Sequence, residues 1–242
     1  CQFLDRLKKE GKIRFACFSF HDDYKAFETI LNDYDWDMCQ IQYNFMDINN
    51  QAGTKGLELA GSKGIPVVVM EGLLGGRLAK APDNVQALYD AFPVKRSPVE
   101  WAFRWLCNHP QVATVLSGLT SVEQVKDNLR IFDTVEPGCM SKEELELIDK
   151  VRDAYNSRIK VGCTGCAYCM PCPMGVDIPG SFSAWNNASL YGGLGKGNAD
   201  YKRLEEGGKA PTQCVECGAC MQVCPQHLEI PELLKKVTAD LK

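Results

Sequence analysis

The chain has 242 residues, 45% of them hydrophobic and 24% charged, with a formal net charge of −4. That is room for one large domain or two ordinary ones, and the apolar fraction excludes wholesale disorder or a collagen-like chain. Mild acidity gives no electrostatic reason to expect nucleic acid or a membrane surface as partner, the longest clean apolar run (65–70) is far short of the ~20 residues that span a bilayer, and no basic stretch followed by an apolar one opens the sequence to suggest secretion.

The elements follow in order. Residues 2–10 read as a helix, and the aromatic, apolar run 13–20 (IRFACFSF) as a buried strand; a helix over 22–33 then carries Phe27, Ile30 and Leu31 at helical spacing. A second strand at 38–43 precedes a helix at 53–62. The β-branched run 66–70 (PVVVM) is a third strand, between Gly64 and Gly72. Ser97-Pro98-Val99-Glu100 combines an N-cap, a first-turn proline and a capping-box acid, and opens a helix with Val99, Ala102, Phe103 and Leu106 on one face. The fourth strand is expected at 114–117. Two further capping boxes, beginning at Ser121 and Ser141, open helices that run to about 131 and 155.

Four βα units in a row imply a parallel sheet covered by helices, either a small doubly wound sheet or half of an eight-stranded barrel. Ser19, Gln40, Gly72 and Gly118 stand at the strand ends, where α/β proteins build their sites. Beyond about residue 158 the alternation stops. The rest is rich in Cys, Gly and Pro, with helical stretches near 178–190, 199–206 and 231–241. A boundary is therefore expected at 156–161, dividing 1–159 from 160–242.

Eight of the 13 cysteines lie in two runs near the C-terminus. Cys163, Cys166, Cys169 and Cys172 precede Pro173; Cys214, Cys217, Cys220 and Cys224 precede Pro225. Three thiolates spaced three residues apart curl around one iron–sulfur cube, and the fourth, before a proline, ligates the other cluster. On that logic Cys163, Cys166, Cys169 and Cys224 hold one [4Fe–4S] cluster, and Cys214, Cys217, Cys220 and Cys172 hold the second. Small residues between the ligands (Gly165, Ala167, Gly218, Ala219) let backbone amides approach the sulfides. Two zinc sites are the alternative, although paired C-x2-C zinc knuckles leave no use for a third cysteine or for the Cys-Pro. So many close cysteines point to metal in a reducing, cytoplasmic compartment rather than to disulfides. The runs resemble the two-cluster bacterial-type ferredoxins. Two departures are a two-residue last spacing in the first run and a long helical spacer from Cys172 to Cys214. The length is similar to that of α-helical ferredoxin modules such as the iron–sulfur subunit of succinate dehydrogenase.

The first part resembles the aldo/keto reductase family in four runs: LDRLKKEGKIR (4–14) with Phe18-Ser19-Phe20, CQIQYN (39–44), MEGLLGG (70–76) and LSGLTSVEQVKDN (116–128). These match, in order, the ends of that family's barrel strands five to eight. The whole chain is similar to aldo/keto reductases that carry a C-terminal [4Fe–4S] domain. The resemblance implies the C-terminal half of a (β/α)8 TIM barrel followed by a mainly α-helical dicluster ferredoxin-like domain. It also implies NAD(P)H beside the two clusters, and a small-molecule carbonyl-type substrate. Ser19 and Gln40 match the positions that bind the nicotinamide carboxamide; Glu71, Gly72, Leu73 and Gly75 match the loop passing the pyrophosphate. Gly118, Thr120, Gln124, Asp127 and Asn128 match the loop and helix start that hold the adenosine end, where N-terminal amides favour phosphate. Met70 replaces the usual stacking aromatic, and Gln124 stands where a basic residue often meets a 2′-phosphate, so NADPH over NADH is a family expectation only. The family's catalytic Asp, Tyr, Lys and His belong to strands one to four. With a first residue Cys1, the expectation is an N-terminally truncated oxidoreductase that does not itself reduce carbonyls.

Other conspicuous residues have plainer explanations. His21 and His109 read as loop or turn histidines, Tyr43 as a core or rim residue, Cys17, Cys39 and Cys107 as small core residues, and Trp101 and Trp105 as helix-packing residues. Nicotinamides move hydride whereas clusters move single electrons; a flavin normally joins the two, and no flavin motif is legible. The clusters therefore are structural, act as sensors or serve a redox partner protein. Two other functions stay open: an iron–sulfur electron-transfer module with the α/β part as docking scaffold, and a zinc-stabilised interaction domain.

Overall fold

Strands and helices alternate through the first 156 residues because each short apolar run is followed by a capped amphipathic segment. The structure, a computed structural model, describes residues 1–242. Helix α1 (Gln2–Lys9) is followed by β1 (Cys17–Ser19), α2 (Tyr24–Asp33), β2 (Met38–Gln42), α3 (Gly53–Ser62) and β3 (Val67–Met70). A 3-10 turn (Arg77–Ala79) and two helices, α4 (Asp83–Ala91) and α5 (Pro98–Cys107), lead to β4 (Val112–Val115), α6 (Val122–Phe132) and α7 (Lys142–Asn156). The strands form one parallel sheet in the order β1-β2-β3-β4. The fold is thus α/β with a four-stranded parallel sheet. No helix is long and apolar enough to cross a membrane.

Caps sit where the sequence puts them. The Ser97 side chain accepts from the Glu100 amide at the start of α5, and Ser121 and Gln124 close a reciprocal capping box on α6. At α7 the Ser141 amide donates to Glu144 while the Glu144 amide donates to the Ser141 hydroxyl.

Three expectations are corrected. The strand predicted over 13–20 is only three residues long, and Phe15 is 62% exposed. β1 is an edge strand, and its ladder extends only where Met38, Cys39 and Gln40 of β2 lie opposite. The fourth strand begins two residues before its predicted position, and the register steps from Val67↔Val112 to Val68↔Thr114, leaving Ala113 as a bulge. Helix α4 was not anticipated; it starts after Pro82, which fixes φ for a helix start.

One face of the sheet is fully covered: Cys39, Ile41, Val67 and Val69 have no exposed surface. Of the residues alternating with them, Val68 is buried, whereas Cys17, Ser19, Met38, Gln40, Gln42 and Met70 are half-buried or exposed. Cys17 is therefore no core residue, whereas Cys39 is buried and Cys107 half-buried. Helix α5 is buried on nearly every side, with Trp101, Phe103 and Leu106 fully enclosed. Its buried Glu100 accepts from Arg104 (2.9 Å) and Arg130 (2.8 Å), with Arg96 at 3.8 Å. Burial pushes that carboxyl's pKa up, but the bonds from Arg130 and Arg104 outweigh it and hold the group below the ordinary value.

The chain divides into two units, Cys1–Lys80 with Gln86–Arg152, and Ala81–Val85 with Asp153–Lys242. The second is helical: α8 (Ile178–Tyr191), α9 (Ala199–Glu206), a 3-10 turn (Pro211–Gln213), α10 (Ala219–Gln222) and α11 (Ile230–Leu241). Its core is made by Phe182, Trp185 and Ala188 of α8, Tyr201 of α9, and Leu234, Val237 and Leu241 of α11. The Trp185 indole donates to Asp240 at 2.8 Å and ties α8 to α11. Six of the eight clustered cysteines pack at the margin of this core.

Candidate functional site

In a parallel sheet all strands end on the same side, so the candidate residues at the ends of β1 to β4 share one rim. The Gln40 side-chain amide donates to Ser19 Oγ and reaches Met70 Sδ, each at 3.3 Å, joining the ends of three neighbouring strands. The segment 71–76 turns tightly, with Glu71 at φ +59°, Leu74 at +51° and Gly75 at +62°. Asn44 anchors it by donating to the Glu71 carbonyl at 3.1 Å. Gly72 is needed for close approach, because a Cβ there would meet Leu106 of α5 at 2.8 Å.

After β4, the Asn128 amide donates to Ser117 Oγ at 3.0 Å, drawing α6 against the preceding loop. Gln124 Oε1 accepts from the amides of Thr120 (2.8 Å) and Ser121 (3.3 Å), so this side chain shapes the loop that begins the helix. Asp127 accepts from Arg130 at 2.9 Å. Gly118 and Thr120 are open to solvent at the rim. His109 serves the fold: its Nδ1 lies 2.8 Å from the Trp105 carbonyl, and burial lowers its pKa.

The cysteine runs converge differently. One cavity is lined by Cys163, Cys166 and Cys169 together with Cys224; another is lined by Cys214, Cys217 and Cys220 together with Cys172, and Cys169 lines both. Each cavity thus draws three thiols from one run and the Cys-Pro thiol from the other. Burial pushes the Cys169 thiol up, and Cys163, Cys166 and Cys224 add to the shift; burial does the same to Cys220, with Cys214, Cys169 and Cys217 adding. No three His, Cys, Asp or Glu side chains converge on a point that would hold a single metal ion. The thiols stand around a space instead of meeting at a centre.

A backbone repeat explains the curl. The third and fifth residues of each run are left-handed: Gly165 (φ +70°) and Ala167 (+60°) in the first, Glu216 (+58°) and Gly218 (+75°) in the second. Such alternation turns successive N–H groups toward one side, a nest that suits anionic groups including iron–sulfur clusters. One of these bonds is formed in the second run, where the Glu216 amide donates to Cys214 Sγ at 3.4 Å.

The repeat continues past the cysteines, as C-P-M-G-V-D-I-P (172–179) and C-P-Q-H-L-E-I-P (224–231). Gly175 and His227 occupy the same left-handed position, at +76° and +51°, and each copy then enters a helix with proline in its first turn. Pro179 and Phe182 of α8 line the first cavity, and the equivalent Pro231 and Leu234 of α11 line the second. Both cavities therefore receive the start of a helix, the end with positive partial charge. Sequence reasoning recognised the cysteines and missed this extension, whose signal was the shared Ile-Pro six residues after each Cys-Pro cysteine.

Two family models match separate parts of the chain. Residues 1–153 match the aldo/keto reductase family, and residues 162–228 match a 4Fe-4S dicluster domain. An aldo-keto reductase from Bacillus halodurans, in its holo form, is 25% identical with a TM-score of 0.52, covering 62% of this chain and 54% of that one. Its apo form gives the same identity and TM-score, with 62% and 55% covered. An aldo-keto reductase from Klebsiella pneumoniae in complex with NADPH is 21% identical with a TM-score of 0.48, covering 62% and 52%. The chain spans about half the length of these solved reductases. No curated protein sequence matches it.

Proposed function

The chain belongs to the aldo/keto reductase family and carries a 4Fe-4S dicluster domain, and from that premise we propose that it is the nucleotide-binding and electron-carrying part of an oxidoreductase. The eight clustered cysteines hold two [4Fe–4S] clusters, Cys163, Cys166, Cys169 and Cys224 one of them, Cys214, Cys217, Cys220 and Cys172 the other. The observation that carries this assignment is the exchange of the Cys-Pro thiols between the two cavities. Paired C-x2-C zinc knuckles would leave the third cysteine of each run and its Cys-Pro without a use.

Left-handed backbone at the third and fifth positions aims amides at the cavities, and the starts of α8 and α11 add partial positive charge where thiolates and sulfides would be negative. When bound, the clusters supply one-electron transfer. NAD(P)H binds at the strand-end rim: Ser19 and Gln40 hold the carboxamide, Glu71, Gly72, Leu73 and Gly75 pass the pyrophosphate, and Gly118, Thr120, Gln124, Asp127 and Asn128 hold the adenosine end. The Gln40–Ser19 hydrogen bond supports this, since it already sets two amide-binding groups side by side. We assign carbonyl reduction to no residue of this chain. A small-molecule carbonyl compound is the substrate class of the oxidoreductase, and a protein that accepts single electrons is its redox partner.

Anaerobic purification tests the cluster assignment. A broad brown absorbance with about eight iron and eight sulfide per chain is expected, and colourless protein with stoichiometric zinc overturns it. NAD(P)H titration followed by nucleotide fluorescence tests the rim. Gln124→Ala and Asn128→Ala are expected to weaken binding; affinity in both variants equal to that of the unsubstituted chain removes these residues from the site.

A further inference from the structure

The two cavities are built from equivalent segments, so the places where equivalence fails separate one cluster from the other. The clearest failure is at the third residue of each run. In the first run it is Gly165, without a side chain; in the second it is Glu216, which adopts the same left-handed backbone although it is not glycine. Glu216 is held there from α11. Lys235 donates to Glu216 Oε2 at 2.8 Å and to Glu232 Oε1 at 2.9 Å. The residue equivalent to Lys235 on α8 is Ser183, uncharged and exposed. At these equivalent positions the second run therefore has an ion pair beside a ligand and the first has none. Cys214, Glu216, Pro231 and Lys235 line one crevice against it, and the Glu216 amide donates to the Cys214 sulfur.

We propose that the Glu216–Lys235 ion pair sets the reduction potential of the cluster held by Cys172, Cys214, Cys217 and Cys220 apart from that of the other cluster. This rests on the two-cluster assignment above. The reduction adds one electron to the oxidised cluster, [4Fe–4S]2+ to [4Fe–4S]+, and with four thiolate ligands the whole centre goes from −2 to −3. A nearby cation stabilises the extra negative charge and a nearby anion opposes it. Lys235 and its two carboxylates together carry −1. Removing the lysine leaves −2, and removing Glu216 leaves a balanced Lys235–Glu232 pair. The two changes thus move the potential in opposite directions. The pair is half exposed, with 52% of each side chain accessible, so its contribution to folding is small and its field weakens as salt rises.

The test is a redox titration with dithionite as electron donor, followed by electron paramagnetic resonance, on full-length protein reconstituted with both clusters. Lys235→Met is expected to lower the midpoint of one cluster, and Glu216→Gly, which keeps the left-handed backbone without strain, to raise the midpoint of the same cluster. The double variant, again at −1, is expected to return near the starting value, and raising the ionic strength to shrink every shift. The cluster that moves must be the one lost in Cys214→Ser. Midpoints that stay put, that move in the same direction in both variants, or that shift equally for both clusters overturn the proposal while the cluster assignment stands. Protein with about half the iron, or none, before any substitution is made fails the assignment itself.

Discussion

The unit that contains Asp153–Lys242 announces its chemistry by residue type, and the unit built on the parallel sheet does not. Eight cysteines at steps of three and four match the spacing of iron–sulfur ligands, so the spacing alone proposes the ligands. At the sheet rim the candidates are Ser19, Gln40, Gly72, Thr120, Gln124 and Asn128, types that fill ordinary loops and caps. Several are engaged in such work: Gln124 closes a capping box and Asn128 ties α6 to its loop. A site made of rare side chains is legible one residue at a time. A site made of common ones becomes legible only when strand order brings them to one edge.

The largest expected effect tests the exchange between the two cysteine runs. Cys172→Ser and Cys224→Ser should each reduce iron from about eight to about four per chain, and they should remove different clusters, as distinguished by electron paramagnetic resonance. If both remove the same cluster, the ligands are not exchanged between runs.

The next contrast is stability without chemistry. Trp101 is fully buried in α5, stacked on Tyr89 with ring centroids 6.0 Å apart and covered by the Arg96 guanidinium at 4.5 Å. Trp101→Ala should cost the sheet-containing unit about 3–5 kcal/mol in denaturant unfolding, with the iron–sulfur absorbance of the native protein unchanged. A loss of cluster absorbance under native conditions would mean that the two units do not keep their functions separate.

A smaller effect comes from the buried charge on the same helix. Because the folded-state pKa of Glu100 is below its ordinary value of 4.5, its contribution is fully present above about that pH and is lost as acid protonates the native carboxylate. Glu100→Gln should lower stability at neutral pH by about 1–3 kcal/mol. The stability of the variant should also fall less steeply below pH 4.5. A parallel pH profile would show that the carboxylate's charge is not what matters.

The smallest effect probes the repeat. His227 stands where the other copy has Gly175, in a backbone conformation that side chains disfavour. His227→Gly should stabilise the cluster-loaded protein by up to about 1 kcal/mol, read from its denaturation midpoint. An unchanged or lower midpoint would show that the imidazole makes a contact that offsets the strain.

Much of the fold could be read in advance because capping residues and apolar periodicity act locally. Ser97, Ser121 and Ser141 begin their helices as expected, and the β-branched run at 66–70 contains β3. The misplacements fell on β1 and β4, the two edge strands. There a single neighbour decides how far the ladder extends, and an apolar run such as IRFACFSF carries no record of where that neighbour stops.

By itself, the sequence determined which residues are fit to bind iron, which segments are helical and that the strands must run parallel, since all of these depend on side-chain chemistry and on spacing along the chain. Tertiary structure alone decided that Gln40 meets Ser19 and Met70 and that Lys235 reaches Glu216. Those pairings join residues 19 to 30 positions apart. Contact at such separations is set by how helices and strands pack, which no local pattern encodes.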